Sequence, residues 1–181
     1  MGMSDIRVRV LEQDEWPIYR EVRLRALRES PEAFVASAEE EAEFEDSVWE
    51  ERMARSRRIL AQDGDEVIGV VSVGTGHRTK IAGAGELFGL WVEASRRGSG
   101  VARRLMEKAA KVGREVGLRQ LLYWVGTDNG RAVAFASSFG FRPTDERRPM
   151  RIRGVDDDDA DAEELMMVYP LGDTGGVPTS L

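Results

Sequence analysis

The segment from residue 86 to residue 125 constrains the fold most, because it has the pattern of two buried strands joined by an amphipathic helix. The first strand, predicted over 86–92, is nearly all apolar, as expected for a strand covered on both faces. The helix is predicted over 98–116, where apolar residues recur every three or four positions at Val101, Leu105, Ala109, Val112 and Val116. The second strand is predicted over 119–125. Strands joined by such a crossover pair in parallel within one sheet.

The rest of the chain supplies elements that complete a single domain around this unit. Further strands are predicted over 6–10, 58–62, 66–74, 141–153 and 165–171, and a further helix over 39–55. Two more helices are predicted to follow the N-cap residues Asp14 and Asn129. This order predicts an α/β (α+β) fold with a mixed, twisted, mostly antiparallel sheet. We assign the domain to residues 1–171 and expect 172–181, rich in Gly, Pro, Ser and Thr, to be a disordered tail.

Composition excludes several kinds of site. Among the 181 residues there is no cysteine and only one histidine, His77. This excludes disulfides, a cysteine nucleophile and a multi-histidine zinc site within one chain, and we expect no metal. The net charge of −7 argues against a broad nucleic-acid surface, and no stretch approaches the roughly 20 apolar residues of a membrane helix. With no cysteine and no apolar N-terminal signal, we expect the chain in the cytoplasm.

The loop between the first buried strand and its helix has the composition of an anion site. Gly98 and Gly100 open the helix, where unpaired backbone N–H groups lie at the positive end of the helix dipole. Four arginines flank the glycines and add positive charge: they are Arg96, Arg97, Arg103 and Arg104. The alternative is an ordinary helix start with surface arginines, and the glycines alone do not decide between the two. The loop is neither a Walker A motif nor the GxGxxG motif of a dinucleotide fold.

The residues of this loop resemble the R/Q-x-x-G-x-G/A signature of the GNAT N-acetyltransferase superfamily. They read RGSGVA from Arg97 to Ala102. The N-x-x-A…G-F segment of the same superfamily matches Asn129 to Ala132 and then Gly140-Phe141. The spacing of these segments and the order of elements over roughly 5–171 also fit. The resemblance implies a GNAT-like domain with helices on both faces of the sheet and a central V-shaped split.

The resemblance implies acetyl-CoA as cosubstrate and assigns the residues that would bind it. The pantetheine arm is expected beside the backbone of Leu90, Trp91 and Val92, as if it were an extra strand. The pyrophosphate is expected on the glycine loop, which comprises Arg97, Gly98, Ser99, Gly100, Val101, Ala102 and Arg103. Asn129 matches an asparagine that helps to hold the cofactor.

The implied reaction is direct transfer of an acetyl group to an amine in a ternary complex. Glu86 matches the position of a glutamate base, although a solvated glutamate at a strand edge is an equal alternative. Many members have a tyrosine that acts as general acid for the departing thiolate where this chain has Ala136, and alanine donates no proton. Ser137 and Tyr123 lie nearby, but water or direct protonation of the thiolate is the favoured substitute. On this basis an Ala136→Tyr exchange is expected to be neutral or to speed the reaction.

Several alternatives remain open at the level of sequence. Because Ala136 replaces the tyrosine, the rival function is an acyl-CoA-binding regulatory module without turnover. The acceptor is expected to be a small-molecule or peptide amine, and a homodimer is expected because the family often forms one. The run Asp156–Asp159 is read as a solvated hairpin loop, with steering of a cationic amine as the second reading. His77 is read as an exposed loop residue, and Trp91 and Trp124 as core residues near the cleft.

Overall fold

The structure is a computed structural model that describes residues 5–34, 36–75, 81–149 and 163–172. The predictions for His77, for the Asp156–Asp159 run and for most of the C-terminal tail fall outside the described residues. Within them, none of the helices has the length and apolar character needed to cross a membrane.

Seven strands form one mixed sheet, as the sequence predicted. They are β1 (Ile6–Val10), β2 (Ser56–Asp63), β3 (Glu66–Gly74), β4 (Ala84–Val92), β5 (Gln120–Gly126), β6 (Arg142–Pro149) and β7 (Glu163–Pro170). Their order across the sheet is β1-β2-β3-β4-β5-β7-β6. The predicted parallel pair is β4 with β5, and the other neighbouring strands described here pair antiparallel.

Helices cover both faces of the sheet, which confirms the expected architecture. They are α1 (Trp16–Glu29), α2 (Ala38–Ala42), α3 (Asp46–Arg55), α4 (Val101–Glu115) and α5 (Gly130–Phe139). On one face, α1 and α3 bury their apolar side chains against Leu60, Val70 and Trp91. On the other face, α4 and α5 pack on a larger core that includes Leu105 and Met167.

Three local predictions were wrong. The helix predicted over 39–55 is two helices, because the chain breaks after Ala42 and the half-buried Phe44 packs against Trp49 instead of continuing the turn. Asp14 does not cap α1, since it lies in a single 3-10 turn, where the backbone N–H of Glu12 donates to Glu15 at 2.8 Å. Val116, assigned to the buried face of α4, lies just beyond the helix and is 41% exposed.

A β-bulge in β4 opens the sheet at its centre. Phe88 pairs with Ser72 and Trp91 with Val70, so that two residues of β4, Gly89 and Leu90, face a single residue of β3. Gly89 has a φ of 65°, a left-handed conformation that glycine adopts without strain. The parallel ladder of β4 with β5 spans only 84–87 and 120–123, and in the described chain it does not continue past the bulge. This is the predicted V-shaped split.

The buried carboxylate of Glu41, on α2, connects three helices, α1, α2 and α3, near the split. Glu41 is 4% exposed, and it accepts hydrogen bonds from Arg23 of α1 at 3.1 and 3.2 Å and from Arg52 of α3 at 2.7 Å. Burial alone would raise the pKa of Glu41, but these hydrogen bonds outweigh it and hold the pKa below its ordinary value. One side chain therefore ties α1, α2 and α3 together.

We expect Glu41→Gln to lower the free energy of unfolding by about 1–3 kcal/mol at neutral pH, because two arginines lose a charged acceptor. Since the folded pKa of Glu41 is depressed, its contribution is present at neutral pH and is lost as the pH falls through the folded pKa. The difference between wild type and variant in urea unfolding should therefore shrink in acid. Glu39→Gln, on the exposed side of α2, is the matched control and should be nearly neutral. Equal effects of the two exchanges would contradict this role of Glu41.

Candidate active site

A cleft of about 540 Å³ lies over the split, on the face covered by α1 and α3. Its floor is the part of β4 that contains the bulge, together with the neighbouring part of β5. Its walls come from α1, from the end of α3 with the start of β2, and from β6 and β7. The cleft therefore joins the split in the sheet to a space large enough for a small molecule.

Glu86 projects into this cleft from the floor. It precedes the bulge by three residues, pairs with Gly74 on β3 and lies in register with Leu122 on β5. Although it lines the cleft, it is only 5% exposed. The alternative of a solvated glutamate at a strand edge is therefore wrong: Glu86 is a buried carboxylate one residue before the ladder of β4 with β5 ends at Leu87.

An arginine that no sequence pattern predicted lies beside Glu86. Arg148 Nη1 of β6 lies 3.9 Å from Glu86 Oε1. Its Nε donates to Glu164 of β7 at 2.7 Å, and its guanidinium lies 4.2 Å from the centre of the Trp124 ring. Arg148 occurs in a strongly charged edge strand, where neither spacing nor motif distinguishes it from its neighbours. The sheet topology alone brings it to the cleft.

A second arginine lies on the other side of Glu86, along the same face of the sheet. Arg58 is buried, with its guanidinium 4.5 Å from the ring centre of Tyr19 and 5.4 Å from that of Phe88. Its Nη1 donates to Ser72 at 2.8 Å. Arg58 lies on β2, in register with Ser72 of β3, which pairs with Phe88 of β4. In the strand order, the two arginines therefore come from opposite sides of β4, which carries Glu86.

The glycine loop has the backbone geometry of an anion site. Gly98 and Gly100 have φ values of 80° and 90°, and Gly100 is the N-cap of α4. No side chain caps this helix, and the Ser99 hydroxyl instead donates to the carbonyl of Arg96. The N–H groups of the first turn are therefore available to a ligand.

The flanking arginines contribute less to this site than their sequence suggests. Arg96 pairs with Asp63 at 2.7 Å, and Arg104 donates to the carbonyl of Ile6 at 2.8 Å.

Arg97 has a structural role. It donates to the carbonyl of Val92 at 3.0 Å and to Ser30 at 3.1 Å, which connects the end of β4 to the end of α1. Arg103 is half-exposed beside Glu107 and Phe139, and it is the member of the four that lies most openly near the loop.

The residues after the bulge divide between the cleft and the core. Leu90 lines the cleft. Trp91 is buried under α1 and donates from Nε1 to Ser30 at 3.3 Å, so its side chain is not available to an acceptor. Val92 is also buried, whereas Trp124 does line the cleft. After the bulge, the open side of β4 therefore presents mainly backbone groups to a ligand.

Residues 11–141, which lie between β1 and β6, match the family model described as Acetyltransferase (GNAT) family. This match spans most of the chain. The chain belongs to the GNAT acetyltransferase family. The family resemblance inferred from the glycine loop is thereby confirmed.

Solved structures share the GNAT fold with this chain at low sequence identity. An acetyltransferase of the GNAT family from Streptococcus pneumoniae is 19% identical, with a TM-score of 0.67, and the match covers 92% of this chain and 99% of that one. The ribosomal-protein-S18-alanine N-acetyltransferase from Escherichia coli is 18% identical, with a TM-score of 0.64 and coverage of 95% and 97%. PaiA N-acetyltransferase from Thermoplasma acidophilum, in complex with coenzyme A, is 16% identical, with a TM-score of 0.61 and coverage of 91% and 98%. No curated protein is significantly similar in sequence.

Many GNAT proteins carry a tyrosine that acts as the general acid, and in this chain the matching position is buried in the core. Ala136 of α5 is 0% exposed and belongs to the main core. Ser137 is exposed on α5 and does not line the cleft. Tyr123 does line it, but burial raises the pKa of this phenol to about 12, and its ring packs on Phe141 at 5.9 Å. A phenol that holds its proton so firmly is a weak acid toward a thiolate.

Asn129 has the capping role that the sequence predicted. Its Oδ1 accepts from the N–H of Ala132 at 3.1 Å at the start of α5. The capping bond uses the side-chain oxygen and does not involve the amide NH₂ group, which is a separate pair of donors. The side chain is exposed at the end of β5 that lies beyond the paired part of the split.

The burial of Ala136 changes the expectation for Ala136→Tyr. A tyrosine ring at a filled core position should overpack it and lower the free energy of unfolding by about 1–3 kcal/mol instead of speeding the reaction. Ser137→Tyr adds the same ring at the adjacent exposed position and should change stability by less than about 0.5 kcal/mol. Urea unfolding of both variants checks this. An Ala136→Tyr protein as stable as wild type, with a faster reaction, would show that the core opens to admit the phenol.

Proposed function

We propose that this GNAT protein is an acetyl-CoA-dependent N-acetyltransferase that transfers acetyl directly to an amine in a ternary complex. The observation that carries the proposal is the place of Glu86: a buried carboxylate in the floor of the cleft, at the point where β4 leaves β5. A proton acceptor at the bottom of an open cleft suits an amine that must lose a proton to react.

The backbone of the split and of the glycine loop supports acetyl-CoA as cosubstrate. The open side of β4 from Leu90 to Val92 would lie along the pantetheine arm. The uncapped first turn of α4, from Gly98 to Arg103, would hold the pyrophosphate through its N–H groups, with Asn129 beside it. A related fold that binds coenzyme A adds support.

The chemistry assigned to the chain is proton removal and orientation. The amine nitrogen forms a bond to the thioester carbonyl carbon, and the carbon–sulfur bond breaks. The proton that the amine loses goes to Glu86, directly or through water. The departing thiolate takes a proton from water, because the described cleft holds no strong acid near the tyrosine position. Absence of cysteine excludes an acyl-enzyme on a thiol.

The rival function, an acyl-CoA-binding module without turnover, rests on the sealed Ala136 position. The two functions differ in a single assay: a panel of amines with acetyl-CoA, read by released thiol. Release that depends on both the amine and the protein supports the enzyme. Tight binding of acetyl-CoA without release for any amine favours the module. A cytoplasmic homodimer acting on small-molecule or peptide amines stays a prediction from the family resemblance.

Glu86→Gln should lower kcat by about 10²–10⁴-fold, the usual scale for loss of an acid–base group, and should leave the affinity for acetyl-CoA nearly unchanged. The loss should shrink as the pH rises, because a larger share of the acceptor amine is then already neutral in solution. Glu66→Gln, at an exposed position of β3, is the control. A Glu86→Gln protein that keeps the wild-type rate at every pH would remove Glu86 from the mechanism.

Gly100→Asp should abolish binding of acetyl-CoA, because it places a negative charge where the pyrophosphate is proposed to lie. Gly100→Asn is the isosteric neutral control, since asparagine tolerates the left-handed conformation at this position and carries no charge. Calorimetry should show strong binding loss for Asp and a smaller loss for Asn, with both proteins folded. Equal affinities of the two variants would contradict a phosphate site at the start of α4.

A further inference from the structure

The described lining of the cleft has a charge opposite to that of the whole chain. The net charge of the protein is −7. Among the described residues that line the cleft, however, five are arginines and two are glutamates, and none is lysine or aspartate. The arginines are Arg23, Arg52, Arg55, Arg58 and Arg148. An excess of guanidinium groups repels a polycationic acceptor and attracts an acceptor that carries an oxyanion.

Arg148 is the member of this set that is built to receive such a group. Arg23 and Arg52 already share Glu41, so their charge is largely committed to the packing of the helices. Arg148 is held in place by its Nε bond to Glu164 and by the face of Trp124, yet its side chain is 46% exposed, and it lines the cleft. Among the described residues its Nη2 has no hydrogen-bond partner, and its Nη1 has only the 3.9 Å approach to Glu86. A positioned guanidinium with free N–H groups is an ordinary carboxylate or phosphate receptor.

The spacing between Glu86 and Arg148 suits an acceptor that carries its amine and an anion close together. The two side chains approach to 3.9 Å, so one small molecule can place its amine at Glu86 and an oxyanion at Arg148, each at a hydrogen-bond distance of about 2.9 Å. In an α-amino acid the amine nitrogen and the carboxylate oxygens are about 3 Å apart. A peptide N-terminus or an alkyl diamine has no anion at that place.

We propose that the acceptor is a free amino acid, with Arg148 as the anchor of its α-carboxylate and Glu86 facing its α-amine. This inference rests on the proposed function and names the acceptor class of the same site. The carboxylate takes no part in bond changes: the amine exchanges one N–H bond for a bond to the acetyl carbon, and Arg148 fixes the distance from that nitrogen to Glu86. Arg148 is thus a specificity-determining residue.

The test compares each amino acid with its own α-carboxamide, which keeps the amine and the side chain but removes the negative charge. The pairs are made from leucine, methionine, phenylalanine and glutamate. The quantity measured is the ratio of kcat/KM for acid and amide, because the ratio cancels any general loss of activity in a variant. For at least one pair, wild type should favour the acid. In Arg148→Gln that ratio should fall by about 10- to 100-fold, the range expected for a hydrogen-bonded charge pair.

Two further variants separate charge, geometry and general damage. Arg148→Lys keeps the charge without the planar fork and should give an intermediate ratio. Arg147→Gln changes the neighbouring arginine of β6, which is exposed and does not line the cleft, and should leave the ratio as in wild type. The affinity for coenzyme A, measured by calorimetry, should be the same in all four proteins.

Binding of acid and amide to the protein saturated with coenzyme A gives the same ratio without turnover. If binding prefers the acid and loses that preference in Arg148→Gln, but no product forms, the anchor stands and the proposed enzyme function fails. If product forms and the ratio in Arg148→Gln equals that of wild type, the enzyme stands and the anchor is overturned. Wild-type preference for the amides, for a diamine such as spermidine or for a peptide N-terminus would also overturn it.

Discussion

The parting of β4 from β5 is the constraint on which the rest of the structure depends. Parallel strands that stay paired leave no opening between them, and here the ladder ends after Leu87. The cause is local, since the bulge at Gly89 adds one residue to β4 and bends the strand. On the far side of the sheet, α4 packs closely on β3, because a Cβ at Gly69 would lie only 3.0 Å from the Leu105 side chain. The bulge residues Gly89 and Leu90 line the cleft, so the cleft lies over this bend.

Ion pairs between neighbouring helices hold one wall of the cleft in place. Taking the Glu41 carboxylate out of water costs free energy, and two guanidinium groups offset that cost only while all three groups stay together. The same two arginines lie on α1 and α3, and both line the cleft. This wall of the cleft is therefore held by a polar cluster, whereas the floor is held by the apolar sheet.

The sequence predicted the parts of this molecule that obey local rules. The periodicity of α4 and the apolar strands on either side of it were enough to predict the parallel pair and the mixed sheet. Local rules failed where a tertiary contact decided the outcome, as at Phe44, which leaves the predicted helix to pack on Trp49. Gly89 lies inside an apolar strand, and a glycine at such a position often marks a bulge, so the bulge could have been predicted from the sequence. No signal marked Arg148, because its place beside Glu86 depends on the registers of three strand pairs, β6 with β7, β7 with β5 and β5 with β4.

The proposed cofactor site and the cleft were predictable to different degrees because they are made of different groups. The proposed cofactor site presents backbone N–H groups, and a backbone can approach an anion only where side chains are absent, so Gly98 and Gly100 leave a motif in the sequence. The cleft presents side chains from α1, α3, β2, β4 and β6, which are far apart in the chain. Such a set has no fixed spacing, and each arginine in it looks like any surface arginine until the sheet brings them together. The motif of the glycine loop therefore predicts which cofactor the family binds. The class of acceptor can be inferred only from the charged side chains that the fold brings together around Glu86.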